Sequence, residues 1–163
     1  MKTKRDWEIY DLKKRIAYER AAVYERFVAA YFRKLGWGVT HLNRGNSKDD
    51  PGDLHIDRNG REEIVDVKEA EQWVERPGRQ HDWLEWQALG LTSDDQFHED
   101  WIYCVVAHDF HAMAFINPKN LPDEAFVVAK NRNKANGKEY KWVKVKKQYT
   151  KPYSLHVSGR PIQ

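Results

Sequence analysis

Cysteine is almost missing from this sequence: Cys104 stands alone among 163 residues. A single thiol excludes an internal disulfide, so a stable fold must rest on a packed core, and the pattern suits a reducing compartment. Structural zinc needs about four ligands. Cys104, His108 and His111 lie close in the sequence, but no second cluster of Cys and His accompanies them. Long apolar runs are missing too. The longest, Trp101 to Ala107, has the length of a strand and not of a membrane span. The basic start, Met1 to Arg5, leads into no apolar stretch, so no secretory signal is expected and a cytoplasmic protein without membrane association is. Repeats, low-complexity segments and Pro- or Gly-rich linkers are also wanting. One domain over 1–163 is the expectation.

What is present is charge, unevenly placed. The net charge is only +3. Acids crowd the stretch from Asp49 to Glu75, and bases dominate from Lys130 to Lys151. Two solvated faces of opposite sign would explain this. So would an enzyme acting on a polyanion, whose acids hold cations while its bases hold phosphates.

The element order reads as α/β. A helix is expected from about Asp6 to Leu35, because Val23, Phe27, Ala30 or Tyr31, and Leu35 recur at helical spacing and Pro and Gly are lacking until Gly36 stops it. A break near Tyr10 to Lys14 stays open. Gly38 to Asn43 reads as a short strand. Gly52 to Asp57 alternates, with Leu54 and Ile56 on one face. Asn59-Gly60 accepts the positive φ of a tight hairpin turn, and Glu62 to Lys68 is the returning strand. His81 to Leu91 has helical spacing. Trp101 to Ala107 and Ala112 to Ile116 read as a strand pair, as do Ala125 to Lys130 and Tyr140 to Lys146.

The chemistry lies in Asp53, Asp66 and Lys68. Strand alternation puts Asp66 and Lys68 on one face and Val65 and Val67 on the other. The hairpin folds the strand that Asp53 begins beside them. Two carboxylates brought together repel unless a cation neutralises them. Mg²⁺ suits such a pair: it takes oxygen ligands from one or two carboxylates and keeps its other positions for water and phosphate, and Mn²⁺ can substitute. Lys68 then stands where it can act on the attacking water or on the developing charge. The alternative is a solvated strand face with a cross-strand ion pair.

Helix, Pro51-Gly52-Asp53, hairpin, Asp66-Val67-Lys68: this layout resembles the PD-(D/E)XK nuclease superfamily, the restriction-endonuclease-like fold, and among its members the small resolvase-like ones. Gly52 departs from the family's adjacent Pro and Asp. The resemblance covers roughly Tyr18 to Leu91. It implies a mixed central sheet flanked by helices behind a long N-terminal helix. It also implies a Mg²⁺-dependent endonuclease acting on DNA, on branched or junction forms or as a restriction-type enzyme. Further implied features are a third metal-site carboxylate from the first helix, here Glu25 with Glu19 as the weaker candidate; a site glutamine on the helix after the lysine, here Gln87; and a homodimer. Two other readings stay open, a nuclease fold that only binds nucleic acid and an RNA-processing nuclease.

Nucleic-acid contacts are expected in two places. The polar loop from Asn43 to Asp50 offers Arg44, Ser47 and Lys48 to phosphates. The basic C-terminal stretch offers Lys144, Lys146 and Lys147 among aromatics.

Overall fold

The first helix, α1 (Lys4–Lys34), is one unbroken element, and its ends show why. Thr3 caps the start in a reciprocal box with Asp6. At the other end Gly36 takes φ +84, the Gly36 N–H reaches Arg33 O at 2.9 Å and the Trp37 N–H reaches Phe32 O at 3.2 Å. That is a Schellman close, completed by Trp37 stacking on Phe32 with centroids 5.1 Å apart. The break left open near Tyr10 does not occur. This computed structural model describes residues 3–42, 52–71, 73–74, 86–91, 97–132, 137, 139–155 and 161–162.

The strands are β1 (Gly38–His41), β2 (Leu54–Arg58), β3 (Arg61–Ala70), β4 (Trp86–Leu91), β5 (Ile102–Ala107), β6 (Ala112–Ile116), β7 (Phe126–Arg132), β8 (Glu139–Lys146), β9 (Lys151–Leu155) and β10 (Pro161–Ile162). Seven form a sheet in the order β1-β2-β3-β5-β6-β9-β10. It is mixed: β3 and β5 run parallel, and the other neighbours are antiparallel. The hairpin between β2 and β3 turns at Asn59 (φ 55) and Gly60 (φ 86), as Asn-Gly chemistry requires. β4, β8 and β7 make a separate three-stranded antiparallel sheet.

Side-chain alternation divides the core into two layers. One face of the large sheet presents Leu54, Ile56, Val65, Cys104, Val106 and Met113 to Tyr24, Val28, Ala29 and Phe32 of α1. The other presents Tyr103, Val105, Ala107, Ala112, Ala114 and Ile116 to Val145 of β8 and Phe126 of β7. The chain is therefore α/β, but among the described residues helices do not flank both faces. Among the described residues α1 covers one face, and the small sheet covers the other. The helix expected over His81 to Leu91 is corrected in the same region, because Trp86–Leu91 is strand β4, hydrogen-bonded to β8. Residues 81–85 lie outside the described set. Among the described residues, no helix is long and apolar enough to cross a membrane.

Candidate active site

Asp66 follows from the alternation of β3. Val65 faces α1, so Asp66 and Lys68 face away from it, beside Tyr103 on the parallel neighbour β5. Lys68 Nζ lies 2.9 Å from Asp66 Oδ2 and 5.8 Å from the centre of the Tyr103 ring. Asp53 reaches the same place from β2. The last ladder pair on that side is Leu54 with Val65, so Asp53 falls one step on, next to Asp66. Its N–H donates to Val65 O at 3.1 Å, and its Oδ2 accepts the Val67 N–H at 2.7 Å. The carboxylate thus satisfies a β3 donor that lies beyond the end of the β2–β3 ladder, a charge-assisted bond that fixes its position.

Both acids are largely buried: over the whole residue Asp53 is 6% exposed and Asp66 is 8%. The Glu63 side chain is as enclosed, at 7%, but it is paired with Arg61 at 3.2 Å. A solvated strand face does not describe them. Buried carboxylates side by side repel one another, and a cation close to both relieves that cost. The donor set therefore fits a hard divalent cation: carboxylate oxygens, few of them, at the end of a strand pair.

The other predicted residues are distributed differently. Glu25 is half-buried on α1, but among the described residues no group of three or more His, Cys, Asp and Glu side chains is gathered closely enough to hold a metal. The structure brings together Asp53, Asp66 and Lys68 and does not assemble Glu25 into a three-carboxylate group with them. Glu19 is exposed on the first half of α1. Gln87 belongs to β4, opposite Val145, and not to a helix. Lys144 and Lys146 alternate with the buried Val143 and Val145, so they occupy the outer face of the small sheet. Arg44, Ser47 and Lys48 lie outside the described residues, as does the side chain of Lys147.

Three residues near the acids were not picked out from sequence. Tyr103 is fully buried, and its hydroxyl accepts the His98 N–H at 2.9 Å. His98 stacks on Trp101 with centroids 3.8 Å apart, and the Trp101 ring edge lies 3.8 Å from the point where a Cβ on Gly52 would stand. These rings form a wall at the Asp53 end of the site. The alternation of β5 gives the side on which Tyr103 lies, but its parallel pairing with β3 has no local signal in the sequence.

A second polar cluster sits on the opposite face and fixes α1 to the end of β3. Glu69 forms an ion pair with Arg20, lies 2.7 Å from His108 Nδ1 and accepts from the Tyr24 hydroxyl at 3.1 Å. Tyr24 Oη also lies 2.7 Å from His108 O. Burial works against the charge on Glu69, but hydrogen bonds from His108, Arg20 and Tyr24 outweigh it and hold the carboxyl below its ordinary value. Burial and the facing Glu69 charge push the Tyr24 phenol up to about 12.

A carboxyl with a lowered folded-state pKa stabilises the fold above its unfolded value, and the effect is lost as pH falls through the folded one. Glu69→Gln should therefore melt at a lower temperature than wild type at pH 7. The gap should narrow as pH drops below about 4, where a free glutamate is protonated. Thermal melts of both proteins across that range measure it; a gap independent of pH would show that Glu69 acts through packing and not through charge.

Comparison of the chain with protein-family models, with curated proteins and with solved structures finds no match.

Proposed function

We propose that this protein is a Mg²⁺-dependent DNA endonuclease that hydrolyses phosphodiester bonds at Asp53, Asp66 and Lys68. The observation that carries the reading is their burial and adjacency. Two largely buried acids meet at one strand end with a lysine 2.9 Å from one of them. A protein keeps such a pair at a cost to its stability, and sites of that kind are concentrated where chemistry is done. The layout of helix, hairpin and Asp-x-Lys strand supports the nuclease assignment, and with it DNA as substrate.

Each residue then has a task. Asp53 and Asp66 hold the cation, Asp53 kept in place by the Val67 N–H. Bound Mg²⁺ polarises the scissile phosphate and makes water more acidic. Lys68, held by Asp66, orients the attacking water and offsets the negative charge that builds on the phosphate.

The test is cleavage of linear, nicked, flap and four-way-junction DNA by wild type and by Lys68→Ala, in Mg²⁺ and in EDTA. Wild type should cut in Mg²⁺ alone. Lys68→Ala should lose about 10²–10⁴-fold in rate while retaining DNA binding. Wild-type protein inert on every form in both Mg²⁺ and Mn²⁺ would leave a binding module, and preference for RNA in direct competition would move the substrate.

A further inference from the structure

The first half of α1 is exposed along its length, and only near its end do Ile16 and Ala17 border a groove with Val67 and Glu69 of β3. Every residue from Thr3 to Glu19 is exposed, and burial begins at Arg20. Yet this half carries Ile9, Leu12 and Ile16 at 44%, 53% and 53% exposure. Their spacing of three then four is the a, d, a of a heptad, and the stripe ends there, because the next d position is Glu19. At about 3.6 residues per turn the stripe lies on the side of the helix turned away from Tyr24, Val28 and Phe32, which pack on the sheet. A helical arm with so little tertiary support is marginal in water, and a short apolar stripe on it marks a contact surface.

We propose that this stripe binds a second copy of the chain, the two α1 helices lying antiparallel across a two-fold axis near residues 10 and 11. The charges flanking the seam select both the partner and the direction. With Ile9 against the partner's Leu12, Ile16 meets the aliphatic stem of the partner's Arg5. Glu8 and Arg15 are both g positions, and Asp6 and Lys13 are both e positions. In an antiparallel pair g faces g and e faces e. Glu8 therefore meets the partner's Arg15, and Asp6 meets the partner's Lys13, each contact occurring twice by symmetry. The Asp6 carboxylate also accepts the Thr3 N–H at 2.8 Å. A parallel pair would face g with e: it would keep Glu8 against the partner's Lys13 but set Arg15 against the partner's Arg20, so only the antiparallel pair makes every flanking contact attractive. It would also bring both bodies to one end of the arm, whereas the antiparallel pair leaves them at opposite ends. Exposed ion pairs add little affinity each, so these fix register and partner choice while the apolar layers hold the helices together.

Analytical ultracentrifugation of the full chain, over a concentration series from low micromolar upward, tests this. Wild type should show a reversible monomer–dimer equilibrium, and Leu12→Asp should remain monomeric throughout. Glu8→Arg alone and Arg15→Glu alone should each weaken self-association by about tenfold or more, because two attractive contacts become repulsive. An equimolar mixture of the two should recover it as a heterodimer, since one chain then carries Arg at both positions and the other Glu. Circular dichroism of each variant checks that the helix is retained. A wild type that is monomeric across the series overturns the proposal. So does a dimer indifferent to Leu12→Asp and to the charge reversals.

Discussion

Asp66→Asn should abolish Mg²⁺-dependent cleavage and, in metal-free buffer, give a protein more stable than wild type. The two effects share one cause. Asp53 and Asp66 are buried next to each other, with Lys68 Nζ 2.9 Å from Asp66. Without a cation the fold carries their repulsion; Asn keeps the shape and removes it. One pKa unit of such coupling is about 1.4 kcal/mol, so a gain of about 1 kcal/mol in EDTA is the scale expected. Lys68 limits the gain, because Asn costs it an ion pair, but its side chain is 29% exposed and has water to turn to. The catalytic loss should exceed the roughly 10–100-fold that follows removal of a partner one shell further out. Millimolar Mg²⁺ should raise the melting temperature of wild type and leave that of the variant unchanged. Calorimetry with and without EDTA decides the matter. A variant less stable than wild type in EDTA, together with a wild-type melt indifferent to Mg²⁺, would mean that the pair is a structural ion-pair site and no cation centre.

The parts of this protein legible from sequence are those specified within a few residues. Gly36 ends α1 through a local Schellman bond, and Asn59-Gly60 turns the hairpin through its own positive φ, so the approach of Asp53 to Asp66 could be read from the chain. The parts that were not legible depend on distant partners. Trp86–Leu91 sits in a stretch with helical spacing, yet it pairs with Trp142 to Lys146, far along the chain, and that ladder decides its state. β9 contains Pro152, which argues against a strand from sequence alone, but its residues pair with β6 and extend the large sheet. Glu25 illustrates the same limit on the site. Helical spacing places it on α1, whereas the side chains it meets depend on how α1 lies on the sheet, which no local pattern encodes.

Gly52→Ala should be among the most damaging single-methyl additions in the chain, and the reason also accounts for the glycine that separates Pro51 from Asp53. Gly52 holds φ +87, in the left-handed region that costs an L-residue about 1–2 kcal/mol. It also has no room: a Cβ there would stand 2.4 Å from Ile64 Cγ2, with Val65 O at 3.7 Å. Overpacking of that kind adds about 1–3 kcal/mol. Gly60 separates the two contributions. Its φ is +86, but nothing lies within 4 Å of its would-be Cβ, so Gly60→Ala should cost the backbone strain alone. Ile64→Ala in the Gly52→Ala background removes the clashing methyl and should recover the steric part of the loss, though not the strain. Activity should fall further than stability. Any shift of Gly52 displaces the Asp53 N–H from Val65 O and its carboxylate from the Val67 N–H, the two bonds that place Asp53 beside Asp66. Urea melts of the three variants, with cleavage assayed under conditions where each is folded, measure both effects. A Gly52→Ala variant as mild as Gly60→Ala and fully active would show that the strand start can yield, and that Asp53 is not held by the tight approach of Gly52 to Ile64.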